Sequence, residues 1–599
     1  MLRWWRDAPA RGRLLGLAGS AGLAVAGGFL LVSPARAEKW LVAGGYYYIL
    51  GVFALGLYHG WRVLRARREV WLGWVRRPGW VSLALLTATL FAVWSDAFKH
   101  KVLFDEYVLQ GTAWHMHATK EVGTPIRAYD IAGTWLAIDA FLDKRPFFFT
   151  FLVSLAHDLS GFRLENAFAL NVALAFACLA LTYWVVVALT GRRGPALLAV
   201  GLLATLPLFG QNATGASMEL HNLAMIAVVA AAGILFLRAP DADRLAWLVL
   251  TTVLLAQSRY ESVLFVGPVA VVIALGWWRG RRIWLPWPAV AAPLLLVPYA
   301  WHSRVVDTKP VLWQLREGDT GRFGWQYVAG NLEGAGNFFF AVSPGQPNSL
   351  WLTLLGLAGA AWAAGWAMVR WRRDAGWPVR ISPAAAVTAL MGAGVATNLG
   401  LLLFYYWSRF DEPITARFAL PTCLGLAWLA GWWVGRLEQR GWPATRLAAL
   451  GLGVWLMVWA APAYARRLYT TQNLVMQEIE WELGQMRRQP GPILVITNKA
   501  TMPYLLHRIP AINTTVARTR GPQLAWHLRA GTFRAVLVAQ ILRPTTAAGD
   551  AGIDADDVLP PEFRLEPIER KRFGMRWIRI SRLVAVAPEG EPPSAGASR

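Results

Sequence analysis

Apolar runs close to membrane-spanning length recur along almost the whole chain, and no other feature constrains its fold as strongly. They lie at 14–32, 40–61, 81–94, 167–189, 195–209, 221–237, 245–257, 262–278, 285–301, 350–369, 381–407, 418–435 and 447–464. Most approach the roughly 20 residues with which a helix crosses the hydrocarbon of a bilayer. With 56% hydrophobic and 16% charged residues, the chain has too little polar surface to enclose these runs in soluble domains. The expectation is an all-α polytopic membrane protein of about thirteen transmembrane helices, since a helix satisfies its own backbone in lipid.

A formal charge of +23 would suggest nucleic acid as the partner of a soluble protein. Here the placement of the charge gives another reason for it. Arg3 to Arg13, Arg62 to Arg77, Arg192 and Arg193, Arg238 and Arg244, Arg279 to Arg282, Arg370 to Arg380 and Arg436 to Arg446 occupy every second gap between apolar runs. That is the positive-inside pattern, so these gaps are expected in the cytoplasm and no nucleic-acid partner is expected. The 34 tryptophans suit interfacial anchoring among membrane lipids. The alternate gaps, 98–166, 210–220, 258–261, 302–349, 408–417 and everything after 465, are then expected outside.

Four regions follow. Residues 1–80 hold two N-terminal transmembrane helices and a basic cytoplasmic loop, and 81–465 hold the transmembrane body with outer loops 98–166 and 302–349. Residues 466–587 have the composition of a small soluble α/β domain, expected to be extracytoplasmic, with a helix near 473–487 and strands near 493–497, 535–541 and 577–586. The Pro-, Glu-, Gly- and Ser-rich tail from Pro588 is expected to be disordered. Ala35-Arg36-Ala37 resembles a signal-peptidase site, although the preceding apolar run is longer than a usual leader. Within loop 98–166, surface helices are expected at Asp105–Lys120 and Phe147–Leu159.

The unusual polar residues fall in the outer segments. Asp105-Glu106 opens the first surface helix, where Asp105 either caps the helix or acts as a general base toward an attacking hydroxyl. Glu219, just before an apolar helix, is either a favourable N-terminal charge or a second carboxylate of a catalytic cavity. Lys144, Arg145, Arg259, Arg409 and Arg417 lie at outer helix ends, where a phosphate at the membrane surface would require converging cations and where snorkelling is the plain alternative. His115 and His117, two apart on a helix, do not share a face, so no metal site is assigned. Cys178 and Cys423 both lie within apolar runs, which argues against a disulfide framework. Asp241-Ala242-Asp243 and Asp554-Ala555-Asp556 match a three-residue pattern of nucleotide-sugar enzymes too short to carry weight, and no phosphate-binding glycine loop follows a strand.

In order, Phe104-Asp105-Glu106-Tyr107, Lys144-Arg145-Pro146-Phe147, Ser217-Met218-Glu219 and Arg417-Phe418-Ala419-Leu420-Pro421 resemble the motifs of the GT-C glycosyltransferases. Within that superfamily they are most similar to the branch of protein O-mannosyltransferases and lipid A aminoarabinose transferases. Arg145 stands where the family usually has proline, and Glu219 where it commonly has Asp. The resemblance implies an inverting glycosyltransferase in a bacterial plasma membrane. It would move a monosaccharide from a polyprenyl-phosphate donor to a hydroxyl acceptor of protein, lipid or glycan at the outer face. It implies Asp105 as base, with Glu106 and Glu219 as accompanying carboxylates and Lys144, Arg145, Arg259 and Arg417 on the carrier phosphate. It names no certain cofactor and leaves a divalent cation open. The rival readings are a transporter or flippase of lipids or lipid-linked sugars, which usually places charges near the bilayer midplane, and a glycan polymerase or ligase.

Overall fold

A computed structural model of the chain describes residues 8–66, 79–309, 312–313, 321–373, 381–466, 474–544, 551–553 and 557–587. The basic loop residues 67–77 and 374–380, Asp554-Ala555-Asp556 and the tail from Pro588 lie outside them. The chain forms two compact units, one of residues 1–99, 120–122 and 143–470, the other of 100–119, 123–142 and 471–599.

The first unit is helical. Among the described residues nine helices are long and apolar enough to cross a bilayer: Arg11–Leu31, Pro34–Arg65, Glu165–Thr190, Glu219–Arg238, Tyr260–Gly280, Leu350–Arg370, Pro383–Leu403, Ala416–Gln439 and Ala444–Ala465. The other expected spans are shorter or broken. Trp80–Trp94 and Ala242–Ala256 have 15 residues each, about 22 Å of helix at 1.5 Å per residue. Arg193–Ala204 and Pro207–Ala213 meet at a 71° bend. Leu206, which precedes Pro207, is driven out of the helical region to φ −74°, ψ 117°. The run 285–301 divides into Trp287–Leu295 and Val297–Asp307, with Pro293 inside the first helix removing a backbone donor.

Close backbone contact sets the position of the helices that flank the polar residues. Leu350–Arg373 packs on Leu420–Gln439 through Gly356 and Gly359. A Cβ on Gly359 would stand 2.5 Å from the carbonyl oxygen of Leu429, and one on Gly356 2.6 Å from Leu426 Cβ. Small residues at such crossings let apolar helices meet at the backbone, which is where membrane helices gain most of their packing energy. At the N-terminus the widened turn Ala26–Leu31 releases carbonyls from the usual ladder. Trp301 Nε1 donates to Gly27 and Arg304 donates to Gly28 and Val32, which ties the first helix to Val297–Asp307.

The second unit is α/β. Helix Leu103–Thr119 leads into a hairpin of β1 (Thr124–Ile131) and β2 (Thr134–Phe141), turned by Ala132 and Gly133, both at positive φ. The main sheet runs β4 (Ala511–Asn513), β3 (Ile493–Thr497), β5 (Ala535–Pro544), β8 (Arg576–Val586), β7 (Phe563–Phe573). β4, β3 and β5 are parallel, and β8 and β7 are antiparallel. Ile496, Val536, Val538, Phe563 and Leu583 form its core with Leu524, and Tyr129 of the hairpin packs against it. The helix around 473–487 and three strands were expected; the hairpin, β4 and β7 were not. A short strand β6 (Ala551–Gly552) adds to β5.

Candidate functional site

Three helix beginnings, far apart in sequence, bring together the charges of the first unit. Glu219 is the first residue of Glu219–Arg238, where a carboxylate faces the positive end of the helix dipole. Arg259 sits in extended backbone, φ −150° and ψ 157°, just before the short 3-10 helix Tyr260–Phe265. Arg417 lies in the 3-10 turn Ala416–Ala419 that feeds Leu420–Gln439, with Pro421 preset for the first helical turn. Glu219 Oε1 is 3.1 Å from Nη1 of Arg259 and 3.1 Å from Nη1 of Arg417. Arg259 Nε is 2.7 Å from Glu261. The Phe418 ring carries both guanidiniums, with Arg259 Cζ at 4.8 Å and Arg417 Cζ at 5.3 Å from its centre.

Neighbouring polar contacts hold this cluster in place. Asn171 Nδ2 donates to the carbonyls of Gly215 and Ser217, which fixes the turn before Glu219. Ser262 donates to Asn222 at 2.6 Å and so couples the turn after Arg259 to the helix that starts at Glu219. Glu219, Arg259, Arg417, Asn171, Asn222 and Ser262 are buried, Glu219 at 2% and Arg259 at 3% exposure. In such surroundings an ion pair is tolerated only when both members are matched, and removal of one partner costs about 3–5 kcal/mol.

Arg259 and Glu261 also border a cavity of about 290 Å³ within the first unit, together with Lys144, Tyr260, His302, Trp313, Arg322, Tyr405 and Phe418. Lys144 Nζ donates to the Leu312 carbonyl at 2.8 Å and stands 5.0 Å from the centre of the Trp313 ring. His302 Nε2–H donates to the Asp143 carbonyl at 2.7 Å, and its ring packs on Phe147. The segment 143–147, which carries Lys144, is thereby pinned from the Val297–Asp307 helix. Phe148 stays against His221 on the other side.

The structure therefore brings Lys144 and Arg259 to one cavity, and Glu219 and Arg417 to an ion cluster that shares Arg259. Arg145 turns the other way: its guanidinium and its backbone N–H both donate to Asp143, and it does not line the cavity. Arg409 makes a two-pronged contact with Asp411, whose carboxyl it holds below the usual range. Asp241 caps a helix, and Asp243 pairs with His59 and Arg62. Asp105 and Glu106 belong to the second unit, in the first turn of Leu103–Thr119. Glu106 is buried and its carboxylate accepts the Lys101 backbone N–H at 2.8 Å; Asp105 is half-buried. Residues that the sequence did not single out are Glu261's neighbour Tyr260, Trp313, Tyr405 and, above all, Arg322. The surrounding loop lacks periodicity, so only the Arg itself was a signal. Among the described residues no group of three or more His, Cys, Asp or Glu side chains stands together as metal ligands do.

No family model and no curated relative matches the sequence. Solved structures do. ArnT from Cupriavidus metallidurans in the apo state aligns with a TM-score of 0.51 at 16% identity, over 86% of this chain and 99% of that one. ArnT from the same organism bound to undecaprenyl phosphate aligns with a TM-score of 0.50 at 15% identity, over 85% and 99%. The chain is a multi-pass membrane protein that shares its fold with these two structures.

Proposed function

We propose that this protein is an inverting membrane glycosyltransferase that moves a monosaccharide from a polyprenyl phosphate to a hydroxyl acceptor at the outer face of the membrane. The observation that carries this reading is the cavity with Lys144 and Arg259 on its wall, in a fold shared with a protein that binds undecaprenyl phosphate. A guanidinium and an ammonium are the groups suited to a phosphate, the first as a fork of donors and the second as a point charge.

In the reaction the acceptor oxygen forms a bond to the anomeric carbon while the bond from that carbon to the carrier phosphate breaks. The phosphate leaves with the electron pair and gains negative charge, which Lys144 and Arg259 stabilise. Glu219 and Arg417 hold Arg259 in position rather than meeting the phosphate themselves. The proton of the acceptor hydroxyl goes to Asp105, which takes this role from the resemblance of its segment. With the basic gaps in the cytoplasm, the cavity and the C-terminal α/β region face outward. That arrangement suits a donor whose lipid keeps its reactive carbon at the membrane surface.

The deciding experiment supplies undecaprenyl phosphate carrying a radiolabelled sugar to the purified protein in lipid vesicles, with membrane extract as acceptor. Label is expected in a new product with the native chain, and transfer is expected to fall by about 10²–10⁴ in Asp105→Asn, the range for loss of a general base. Label that crosses the bilayer unchanged would replace this reading with transport.

A further inference from the structure

The cavity of the first unit holds a cation that neither its motifs nor its fold likeness assigns, and an aromatic ring that carries it. Arg322 borders the cavity, and its Cζ stands 4.4 Å from the centre of the Trp313 ring. The same ring lies 5.0 Å from Lys144 Nζ. Two like charges are thus brought to one neutral surface, where the negative ring face favours each of them and offsets their mutual repulsion. Contacts to the backbone fix the ring and the arginine in place. Tyr406 Oη donates to the Trp313 carbonyl, Lys144 donates to that of Leu312, and the Tyr406 N–H donates to the Arg322 carbonyl at 3.0 Å.

Both side chains have donor capacity left. The Arg322 guanidinium has five N–H donors, and among the described residues one of them meets a carboxylate, Asp307 at 2.8 Å. That carboxylate is itself half-exposed, so it neutralises Arg322 less than Glu219 and Glu261, with side chains 1% and 9% exposed, neutralise Arg259. The Trp313 indole N–H is buried and has no acceptor among the described residues. A buried donor in this state carries its full desolvation penalty unless a ligand oxygen meets it. Donors without acceptors beside a cation-lined cavity fit an anion with several oxygens.

We infer that Arg322 is a third cation for the carrier phosphate and that Trp313 is the positioning residue that holds it beside Lys144. This rests on the glycosyl-transfer reading above and specifies its leaving-group site. A sugar-linked phosphodiester carries one negative charge, and the phosphate monoester that leaves carries nearly two at neutral pH. A third cation therefore favours the state after bond cleavage over the state before it, which is the direction that speeds transfer.

The test measures binding of radiolabelled undecaprenyl phosphate to the full-length protein in nanodiscs, alongside transfer kinetics. Arg322→Gln is expected to weaken carrier binding by about tenfold or more and to flatten its dependence on salt, because one charge of the site is gone. Arg322→Lys should recover part of the loss. Trp313→Leu should match Arg322→Gln, whereas Trp313→Phe, which keeps a ring face, should lie near the native chain. In the Arg322→Gln background, Trp313→Leu should add little, as two residues acting through one interaction do. Asp307→Asn removes the same ion pair but leaves the guanidinium, and carrier binding should survive it. Native binding with Arg322→Gln indistinguishable from it, or an Asp307→Asn that copies Arg322→Gln, overturns the inference and leaves the reading above intact. A native chain that binds no undecaprenyl phosphate overturns both.

Discussion

Two buried ion clusters, one in each unit, look alike in composition and differ in what surrounds them. In the first unit Glu219 meets Arg259 and Arg417, and Arg259 also meets Glu261. In the second, Lys499 lies 3.2 Å from Glu478 and 2.7 Å from Glu482, and Tyr504 Oη donates to Glu482 at 2.6 Å. Both clusters are almost entirely removed from solvent. The second is built locally, with Glu478 and Glu482 one helical turn apart on Leu474–Arg487 and Lys499 just after β3. Lys499 does border a cavity, of about 420 Å³, yet its ammonium is held by two carboxylates. The first cluster is assembled from three distant helix beginnings and lies next to Lys144 and Arg322 on a cavity wall. Burial of charge is thus no mark of a reactive site by itself; cations that retain donors toward a cavity are the better mark.

Lys499→Met gives the widest separation between the two. It leaves buried Glu482 without its cation and Glu478 with Arg576 alone, at 3.7 Å, and should destabilise the second unit by about 3–5 kcal/mol. Thermal unfolding would show this as a lowered first transition, with carrier binding retained below it. Loss of carrier binding in a variant that is still folded would erase the distinction drawn between the clusters. Arg259→Gln should do the opposite, with transfer lowered by about 10² and unfolding shifted less, because Arg417 still meets Glu219. A stability loss in Arg259→Gln equal to that of Lys499→Met, with unchanged kinetics, would make the first cluster as structural as the second.

Smaller effects refine the contrast. Gly359→Ala should cost about 1–3 kcal/mol through overpacking against the Leu429 carbonyl. It should lower transfer as well, because the helix behind Arg417 moves; a stability loss without any kinetic change would separate that helix from the site. The smallest effect concerns pH and the second unit. Burial lowers the His100 imidazole from 6.5 to about 4, against a hydrogen bond donated by its Nε2–H to Gln110 Oε1, which favours the charged form, and alongside repulsion from His507. The unfolded chain therefore takes up the proton first, and the stability present above pH 6.5 should decline as pH falls from 6.5 toward 4. His100→Gln should flatten that slope in unfolding measured across the range. A slope left unchanged would assign it to other groups.

How much of this was legible in the sequence follows from which interactions are periodic. Long apolar runs announce their helices, and β3, β5 and β8 read as strands because each carries a short apolar run with Val or Ile in it. β7 escaped because Glu569, Arg570, Lys571 and Arg572 make it a charged, exposed edge on which no alternation shows. The hairpin escaped because Ala132 takes a positive φ that alanine does not advertise. At the candidate site, Lys144 and Arg259 were legible as cations at outer helix ends, and they do share a cavity. The joint hold of Arg259 and Arg417 on one carboxylate oxygen was not legible, since it depends on three helix starts meeting in space. Arg145 failed to join them because Asp143, two residues earlier, captures it.

The second unit draws its core from segments that the ribosome releases at very different times. Helix Leu103–Thr119 and the hairpin emerge early, and Tyr129 then waits for Phe533 and its neighbours, while Thr501 must still reach the carbonyl of Ile126. All of residues 143–470 are synthesised in between. Closing so long a loop is slow, because its entropy is lost before the distant contacts form. During synthesis the early segment is therefore an unfinished half-domain for as long as the intervening residues take to be made. A C-terminal fragment expressed alone would lack that half, so the α/β unit has to be made, and matured, as part of the whole chain.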